Sequence, residues 1–248
     1  AKDEDGNHYF ASEIKELACL QQISVIKLFP PGHYFKNGQF FKYYDRLPQA
    51  KMHLGEEAAA KILSGLVDEA VKKRVDTDLP IGVFLSGGLD STAILATARK
   101  FHNDITAIIV GSKNSEDVKF AKRYCEENGV KHVIRSPPTE KEMFESIGQT
   151  VEMTESFEPN VVRQSAISYF IAKAAKELNL RIVLYDEGPD ELFLGYPEFK
   201  SLSKRQVQER QNGFLKFLNR TQFQRVDRTS MHFTIEVRVP FFDQKIVE

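Results

Sequence analysis

The chain has 248 residues and a mass of 28.3 kDa, which is long enough for one or two domains with a hydrophobic core. Hydrophobic residues make up 42% of the chain and charged residues 28%, a composition that excludes a disordered or fibrous protein. The 34 basic and 35 acidic residues nearly cancel, so the charge favours neither a nucleic acid nor an anionic membrane as partner and points to small molecules.

The sequence carries no sign of a membrane span or a secretion signal. No apolar run reaches the length of a spanning helix, and residues 1–20 lack the apolar core of a signal peptide. We therefore expect a cytoplasmic protein without membrane contact. Cys19 and Cys125 lie in segments that look helical and have no metal-ligand spacing, so we expect both to be packing residues without a redox role.

The first 46 residues differ in character from the rest of the chain. They are rich in aromatic and β-branched residues and contain Asn37-Gly38, a strong signal for a hairpin turn, so they predict short strands and turns. From residue 54 onward, apolar residues recur at helical spacing between Glu and Lys, which predicts a helix. The change indicates a domain boundary within residues 46–55.

Strands and helices alternate in the remainder. The pattern predicts strands at residues 79–86, 104–111, 131–136 and 181–188, and helices at residues 91–101, 115–128, 140–154 and 161–178, with a further helix from residue 189. This alternation indicates an α/β fold with a mainly parallel sheet covered by helices on both faces. Such sheets bind ligands at the carboxyl ends of their strands, here residues 86–91 and 185–191.

The first of these strand ends reads Ser-Gly-Gly-Leu-Asp-Ser. Free backbone N–H groups and the positive end of a helix dipole converge there, which favours a bound anion. Gly87 and Gly88 let the backbone approach a ligand closely, and Ser86 and Ser91 add hydroxyl donors. Asp90 would repel a phosphate unless Mg²⁺ bridged the two groups. The structural alternative is a polar turn that only joins a strand to a helix.

The second strand end concentrates negative charge. Glu187, Asp190 and Glu191 place three carboxylates within five residues, which is costly unless they are solvated or neutralised by a cation. Acidic residues that merely stabilise a helix N-terminus are the alternative. Two such turns in one sheet favour a nucleotide and metal site.

Three blocks of sequence stand out: SGGLDS at 86–91, DEGPDELFLGY at 186–196 and DRTSMHFTIEVRVPFFD at 227–243. The first has the loop pattern of the PP-loop ATP pyrophosphatases, and the three in this order resemble the synthetase domain of the asparagine synthetase family. YFASEIKEL and FPPGHYF resemble the closing strands of that family's glutaminase domain.

The resemblance implies an adenine-nucleotide α-hydrolase fold preceded by a small, mostly β remnant of an N-terminal nucleophile glutaminase domain. It divides the chain into the C-terminal part of that domain at residues 1–46, a linker at 47–56 and a truncated synthetase domain at 57–248.

The resemblance also implies a reaction. In that family ATP activates the side-chain carboxylate of aspartate as β-aspartyl-AMP with release of pyrophosphate, and ammonia then displaces AMP to give asparagine. We expect this ATP- and Mg²⁺-dependent ligase activity here, with ammonia from glutamine. Residue 1 is Ala where the glutaminase nucleophile would be Cys, so we expect a fragment that lacks most of the glutaminase domain. Family members commonly pair, which allows a homodimer.

The same resemblance assigns site residues. It implies ATP or pyrophosphate contacts for Leu85, Ser86, Gly87, Gly88, Asp90, Ser91, Val110, Tyr185 and Asp186. Asp90 and Asp190 would be Mg²⁺ ligands. Glu187 would be catalytic, as a carboxylate able to accept a proton from ammonia. Asn160 and Arg163 would lie near the substrate, although a surface charge is an equal alternative for Arg163.

Some positions depart from the family pattern and leave alternatives open. Tyr185 and Asp186 stand where the family has small residues, and Asn160 stands where it has threonine. One alternative is a relative that adenylates another carboxylate, such as a β-lactam-forming or peptide-cyclising synthetase. Another is a catalytically silent nucleotide-binding homologue. In the third block, we expect Glu236 and Arg238 to be structural.

Overall fold

A computed structural model describes residues 1–23, 25–44 and 54–248. The chain forms two compact units, Ala1–Gln49 and Ala50–Glu248. Most of the boundary expected at 46–55 and of the linker expected at 47–56 lies outside the described residues.

The first unit contains a short helix and a hairpin. The helix α1 (Ile14–Ala18) is followed by β1 (His33–Lys36) and β2 (Gln39–Lys42), which pair antiparallel. Asn37 and Gly38 join the two strands with φ angles of 49° and 80°, the left-handed backbone that such a turn requires, so the predicted hairpin is confirmed.

Two expectations for this unit are corrected at α1. Ile14, Leu17 and Ala18 repeat at helical spacing, and Leu17 is buried, so the helix expected around Cys19 begins within a stretch where short strands and turns were expected. Cys19 ends the helix and is exposed, with its Sγ donating to the carbonyl of Glu16, so it is not a packing residue.

The second unit is built around a parallel sheet in the strand order β5-β4-β3-β6-β7. The strands are β3 (Ile81–Phe84), β4 (Ile105–Val110), β5 (Lys131–Arg135), β6 (Ile182–Leu184) and β7 (Glu236–Arg238). The four strands predicted from the alternating pattern are confirmed, and so is the α/β fold class. β7 is an addition that its short sequence did not indicate.

Helices connect and cover these strands. They are α2 (Glu56–Arg74), α3 (Leu89–Ala98), α4 (Glu116–Glu127), α5 (Glu140–Thr154), α6 (Pro159–Glu177), α7 (Pro189–Phe193), α8 (Lys204–Phe217), α9 (Gln222–Met231) and α10 (Gln244–Val247), with 3₁₀ turns at Pro197–Ser201 and Pro240–Phe242. The N-caps Ser115 and Thr139 fix the starts of α4 and α5. Within the described ranges, every helix is too short or too polar to cross a bilayer.

Successive strand residues bury opposite faces of the sheet. Val83 and Leu85 join the core formed with α2, α3 and α4, which also contains the buried Cys125. Phe84 between them joins a second core with Ala175 of α6. This alternation explains the continuous apolar runs of the strands, because a sheet covered on both faces has no solvent-facing positions.

The strand order brings the two candidate turns together. The chain runs from β3 outward to β4 and β5, and then returns to the other side of β3 with β6. The carboxyl ends of β3 and β6 therefore flank the point where the winding direction changes, the usual ligand crevice of such sheets.

Candidate functional site

The turn between β3 and α3 is organised by two serines. The Oγ atoms of Ser86 and Ser91 lie 2.9 Å apart, and the Ser86 amide donates to Ser91 Oγ at 3.2 Å. The Gly88 amide donates to Ser86 Oγ at 3.2 Å. Gly88 is the N-cap of α3 and supplies no side-chain acceptor, so the first amides of the helix are not capped by a side chain. This arrangement suits an anion.

Gly87 fixes the place of that turn. Its φ angle is 91°, and a Cβ atom at this position would collide with the backbone carbonyl of Asp117 in the first turn of α4. A side chain would therefore strain the backbone and push the turn away from α4. The glycine is required because the loop rests directly on another helix.

The turn after β6 is fixed in a similar way. Gly188 has a φ angle of 103° and is the N-cap of α7, and the Phe242 ring occupies the space that a Cβ atom would need. Phe242 belongs to the third sequence block. The second and third blocks are therefore in direct contact at this edge of the sheet.

Three aspartates near these turns interact electrostatically. Burial, together with the charges of Glu187, Asp90 and Asp190, raises the pKa of Asp186 to about 6, against the opposing effect of a backbone hydrogen bond. Burial, and then the charge of Asp190, raises the pKa of Asp90. Asp90 and Asp190 thus belong to one electrostatic cluster, which a bound cation would relieve.

Glu187 lies in a buried polar network. Its carboxylate forms an ion pair with the Arg225 guanidinium of α9. Arg225 Nη1 also donates to Ser168 Oγ at 2.7 Å, and Nη2 donates to Gln222 Oε1 at 2.8 Å. Burial raises the pKa of Glu187, whereas the Arg225 charge and hydrogen bonds from Arg225 and Tyr185 oppose that increase.

Glu191 is hydrogen-bonded within the protein. It is only 2% exposed, and its Oε1 accepts hydrogen bonds from the Tyr196 hydroxyl and, at 3.3 Å, from Gln222 Nε2. Of the three carboxylates in this turn, Glu187 and Glu191 therefore have protein partners and Asp190 is exposed. The acidic turn is in part a structural feature and in part open to a ligand.

The donor chemistry fits Mg²⁺ bound together with phosphates. Asp90 and Asp190 offer hard carboxylate oxygens, and Mg²⁺ usually takes one or two such ligands and completes its shell with water and substrate phosphates. In the described part of the chain, no group of three or more His, Cys, Asp or Glu residues could hold a metal ion.

The other candidate nucleotide contacts occupy different environments. Leu85 is buried in the sheet core with 2% exposure, so a ligand would meet its backbone and not its side chain. Val110 is the last residue of β4 and packs against the second core, which contains Phe84 and Ala175. Tyr185 also packs there, with its ring centroid 5.3 Å from that of Phe84.

Asn160 and Arg163 lie at the start of α6. Asn160 donates to Glu158 at 3.3 Å, and Arg163 borders an apolar groove between α5 and α6. Among the described residues, neither has a hydrogen bond or ion pair to residues of the two turns. Their assignment to the substrate site stays a prediction.

The third block provides structural contacts, as expected. Arg238 donates to Glu236 at 2.8 Å and to the carbonyl of Arg74 at 2.6 Å. Arg228 pairs with Glu155 at 2.7 Å, which joins α9 to the end of α5.

The partners of Glu187 are not evident from the sequence. Gln222, Arg225 and Thr229 are spaced three and four residues apart, so they share one face of α9, and this face is buried or half-buried. An arginine on a buried helix face indicates an ion pair, but the sequence does not say which carboxylate it meets.

Comparisons with known proteins agree with this architecture. The family model described as Asparagine synthase matches residues 63–212 and 200–248. The chain is 28% identical over 258 residues to glutamine-hydrolyzing asparagine synthetase 2 of Arabidopsis thaliana, which covers 98% of the chain and 44% of that protein. It is 29% identical over 259 residues to the corresponding Oryza sativa subsp. japonica protein, covering 98% and 43%. The chain thus spans less than half the length of these curated relatives.

Two solved structures overlie part of the chain. An NH3-dependent NAD synthetase from Campylobacter jejuni is 17% identical, with a TM-score of 0.38 and coverage of 68% of this chain and 76% of that one. An NMN synthetase from Francisella tularensis is 19% identical, with a TM-score of 0.36 and coverage of 70% and 74%. The sheet itself, and not these partial overlays, establishes the fold. With the family model matching well over half of its residues, the chain belongs to the asparagine synthase family.

Proposed function

We propose that this chain carries the ATP-dependent site of an amide-forming ligase that converts aspartate to asparagine through β-aspartyl-AMP. The observation that carries the proposal is the placement of two complementary turns after the adjacent strands β3 and β6. One turn offers amides and hydroxyls to phosphate, and the other offers carboxylates. Membership in the asparagine synthase family supports ATP-dependent amidation in general.

The turn after β3 is proposed to bind the pyrophosphate part of ATP. The amides at the start of α3 and the hydroxyls of Ser86 and Ser91 would donate to phosphate oxygens. Asp90 and Asp190 would hold Mg²⁺, which when bound stabilises the negative charge that develops on departing pyrophosphate. In the nucleotide-bound state we expect the contact between the two serine hydroxyls to be replaced by contacts with phosphate.

Glu187 is proposed to act in the second half of the reaction. Ammonia attacks the carbonyl carbon of the adenylate, the bond from that carbon to the AMP oxygen breaks, and the nitrogen must lose a proton. A carboxylate beside the reacting nitrogen can accept it. Burial raises the pKa of Glu187, and its ion pair with Arg225 opposes this and favours the ionised form that can do so.

The source of ammonia is proposed from the relatives. Their names describe them as glutamine-hydrolyzing, so we infer that a glutaminase domain supplies ammonia here. Residues 1–46 would be the end of that domain, residues 47–56 a linker and residues 57–248 the synthetase domain. A homodimer is the proposed assembly.

A second candidate follows from Asp186. Its half-buried carboxylate adds a negative charge beside Asp90 and Asp190, and this charge would alter the binding of an acidic substrate. A relative that adenylates a carboxylate other than aspartate would account for it.

The test is pyrophosphate release by the full-length protein with ATP, Mg²⁺, ammonium and a panel of carboxylates. Among the carboxylates, we expect only aspartate to support pyrophosphate release, with one asparagine formed per pyrophosphate. The rate of release should fall by about 100-fold or more in Asp90→Asn and in Glu187→Gln. Asp104→Asn is the matched control, since Asp104 directly precedes β4 and so lies at the amino ends of the strands, opposite to the carboxyl ends where the two turns lie. Activity with another carboxylate would favour the second candidate, and no activity with any would indicate a silent homologue.

A further inference from the structure

Arg225 joins three elements at one buried point. Arg225 is 5% exposed, and its guanidinium contacts Glu187 after β6, Ser168 on α6 and Gln222 on α9. Because Nη1 and Nη2 are both hydrogen-bonded, the guanidinium has a fixed orientation. Gln222 in turn donates to Glu191, so α9 is hydrogen-bonded to both Glu187 and Glu191 of the acidic turn.

The ionisation of Glu187 depends on several neighbouring groups. Burial and the charge of Glu191 raise its pKa, whereas Arg225 and Tyr185 lower it, and Glu187 also interacts with Asp186. Arg225 is the cation of this set. Removal of its charge would leave a buried carboxylate among other acids, a situation in which a carboxylate takes up a proton and loses its capacity as a base.

The ion pair uses only part of the guanidinium. Arg225 Nη2 meets Glu187 Oε1, whereas the buried Nε–H on the same edge of the guanidinium has no hydrogen-bond acceptor in the described residues. A bidentate grip would occupy both donors and both carboxylate oxygens. In the described contacts, no hydrogen bond from Arg225 reaches Oε2 of Glu187, so the ion pair is monodentate.

We propose that Arg225 is a positioning residue of the amidation step, which holds Glu187 ionised and aimed at the reacting nitrogen without touching the substrate. The inference rests on the proposed function. It assigns a role to α9 that neither the sequence pattern nor the three blocks indicate.

The test is a double-mutant cycle in the full-length protein, with kcat/KM for asparagine formed from ATP, aspartate and ammonium. We expect Arg225→Met and Glu187→Gln each to lower kcat/KM by about 100-fold. The double variant should be no slower than Glu187→Gln, because Arg225 acts through Glu187. Arg225→Lys, which keeps the charge but not the fork, should recover part of the loss.

Arg228→Met is the matched control. It removes another arginine of α9 that is ion-paired with a glutamate of similar burial, but this pair lies at the end of α5. We expect its kcat/KM to stay within about threefold of wild type, measured below the unfolding temperature. An equal loss in Arg228→Met would overturn the inference, since it would show a general effect of α9.

Thermal unfolding separates folding from function. Arg225→Met should lower Tm, and adding Glu187→Gln should restore part of it, because the buried carboxylate is then no longer charged. If the wild type is active and the kcat/KM losses of Arg225→Met and Glu187→Gln multiply in the double variant, the positioning inference fails while the proposed function stands. If the wild type forms no amide with any carboxylate, the proposed function fails and takes the inference with it, while the Tm values still report the ion pair.

Discussion

Position 188 shows how one residue can decide the geometry of the acidic turn. Gly188 combines a left-handed backbone with close contact to the Phe242 ring. We predict that Gly188→Ala costs about 2–4 kcal/mol of unfolding free energy, because it adds both strain and a steric clash. Urea unfolding of the full-length protein measures this loss.

Gly148→Ala provides the comparison. Gly148 lies within α5, and a Cβ atom there would meet no atom within 4 Å. Alanine should therefore leave stability unchanged or raise it by up to about 1 kcal/mol. Equal destabilisation by both substitutions would contradict the account of Gly188.

Asp243 anchors the end of the third block to α2 and makes stability depend on pH. It is 7% exposed and accepts hydrogen bonds from Lys73 at 3.1 Å and Arg74 at 2.9 Å. Burial alone would raise its pKa, but the hydrogen bonds from Arg74 and Lys73 outweigh this and lower the pKa to about 2. The ionised form therefore stabilises the folded state above the unfolded-state pKa, and this stability is lost as the pH falls towards about 2.

We predict that the wild-type unfolding free energy falls by about 2 kcal/mol more than that of Asp243→Asn between about pH 6 and about pH 2. Asp68→Asn is the control, because the Asp68–Lys100 pair is exposed and such pairs contribute little. Denaturant titrations across the pH series measure the difference. Parallel curves for wild type and Asp243→Asn would refute the assignment.

At the residue scale, sequence reasoning found groups with local signals and missed those with distant partners. Ser86, Asp90 and Glu187 lie in turns whose composition is informative by itself. Arg225 was missed because its partner is 38 residues away along the chain. Gln222, a partner of Glu191, is 31 residues away and was hidden for the same reason, so the acidic turn looked more open to a cation than it is.

At the scale of elements, the turn between β3 and α3 depends on its contact with α4. We predict that Gly87→Ala weakens ATP binding by about tenfold or more, because the added methyl group pushes the loop off the Asp117 carbonyl and misplaces its amides. Isothermal titration calorimetry with ATP and Mg²⁺ measures the change.

Gly65→Ala, in α2 with open space around it, should bind ATP like the wild type. Tight ATP binding by Gly87→Ala would show that the loop is not the phosphate-binding element.

Elements with a long periodic pattern were predictable. The helices α4 and α5 match the expected residues closely, since apolar periodicity and capping residues mark them. β7 has three residues and exists because it pairs with β6, which no local pattern records. The five-residue α1 was expected only at its end near Cys19, because the preceding segment is rich in aromatic residues.

At the scale of the whole molecule, function depends on strand order within the second unit. The turns at residues 86–91 and 185–191 are about a hundred residues apart in sequence, yet their strands β3 and β6 are neighbours. The alternating pattern predicts a parallel sheet but not this order, because strand order is set by tertiary packing. Their adjacency makes one site from two separate motifs.

The most direct test of the central claim uses aspartate labelled with ¹⁸O in its side-chain carboxylate, with the full-length protein, ATP, Mg²⁺ and ammonium. If a carboxylate oxygen attacks the α-phosphorus and ammonia later breaks its bond to carbon, AMP must carry one labelled oxygen for each asparagine formed. Mass spectrometry of AMP should show this transfer. Unlabelled AMP, or ADP with labelled phosphate, would contradict adenylation at this site.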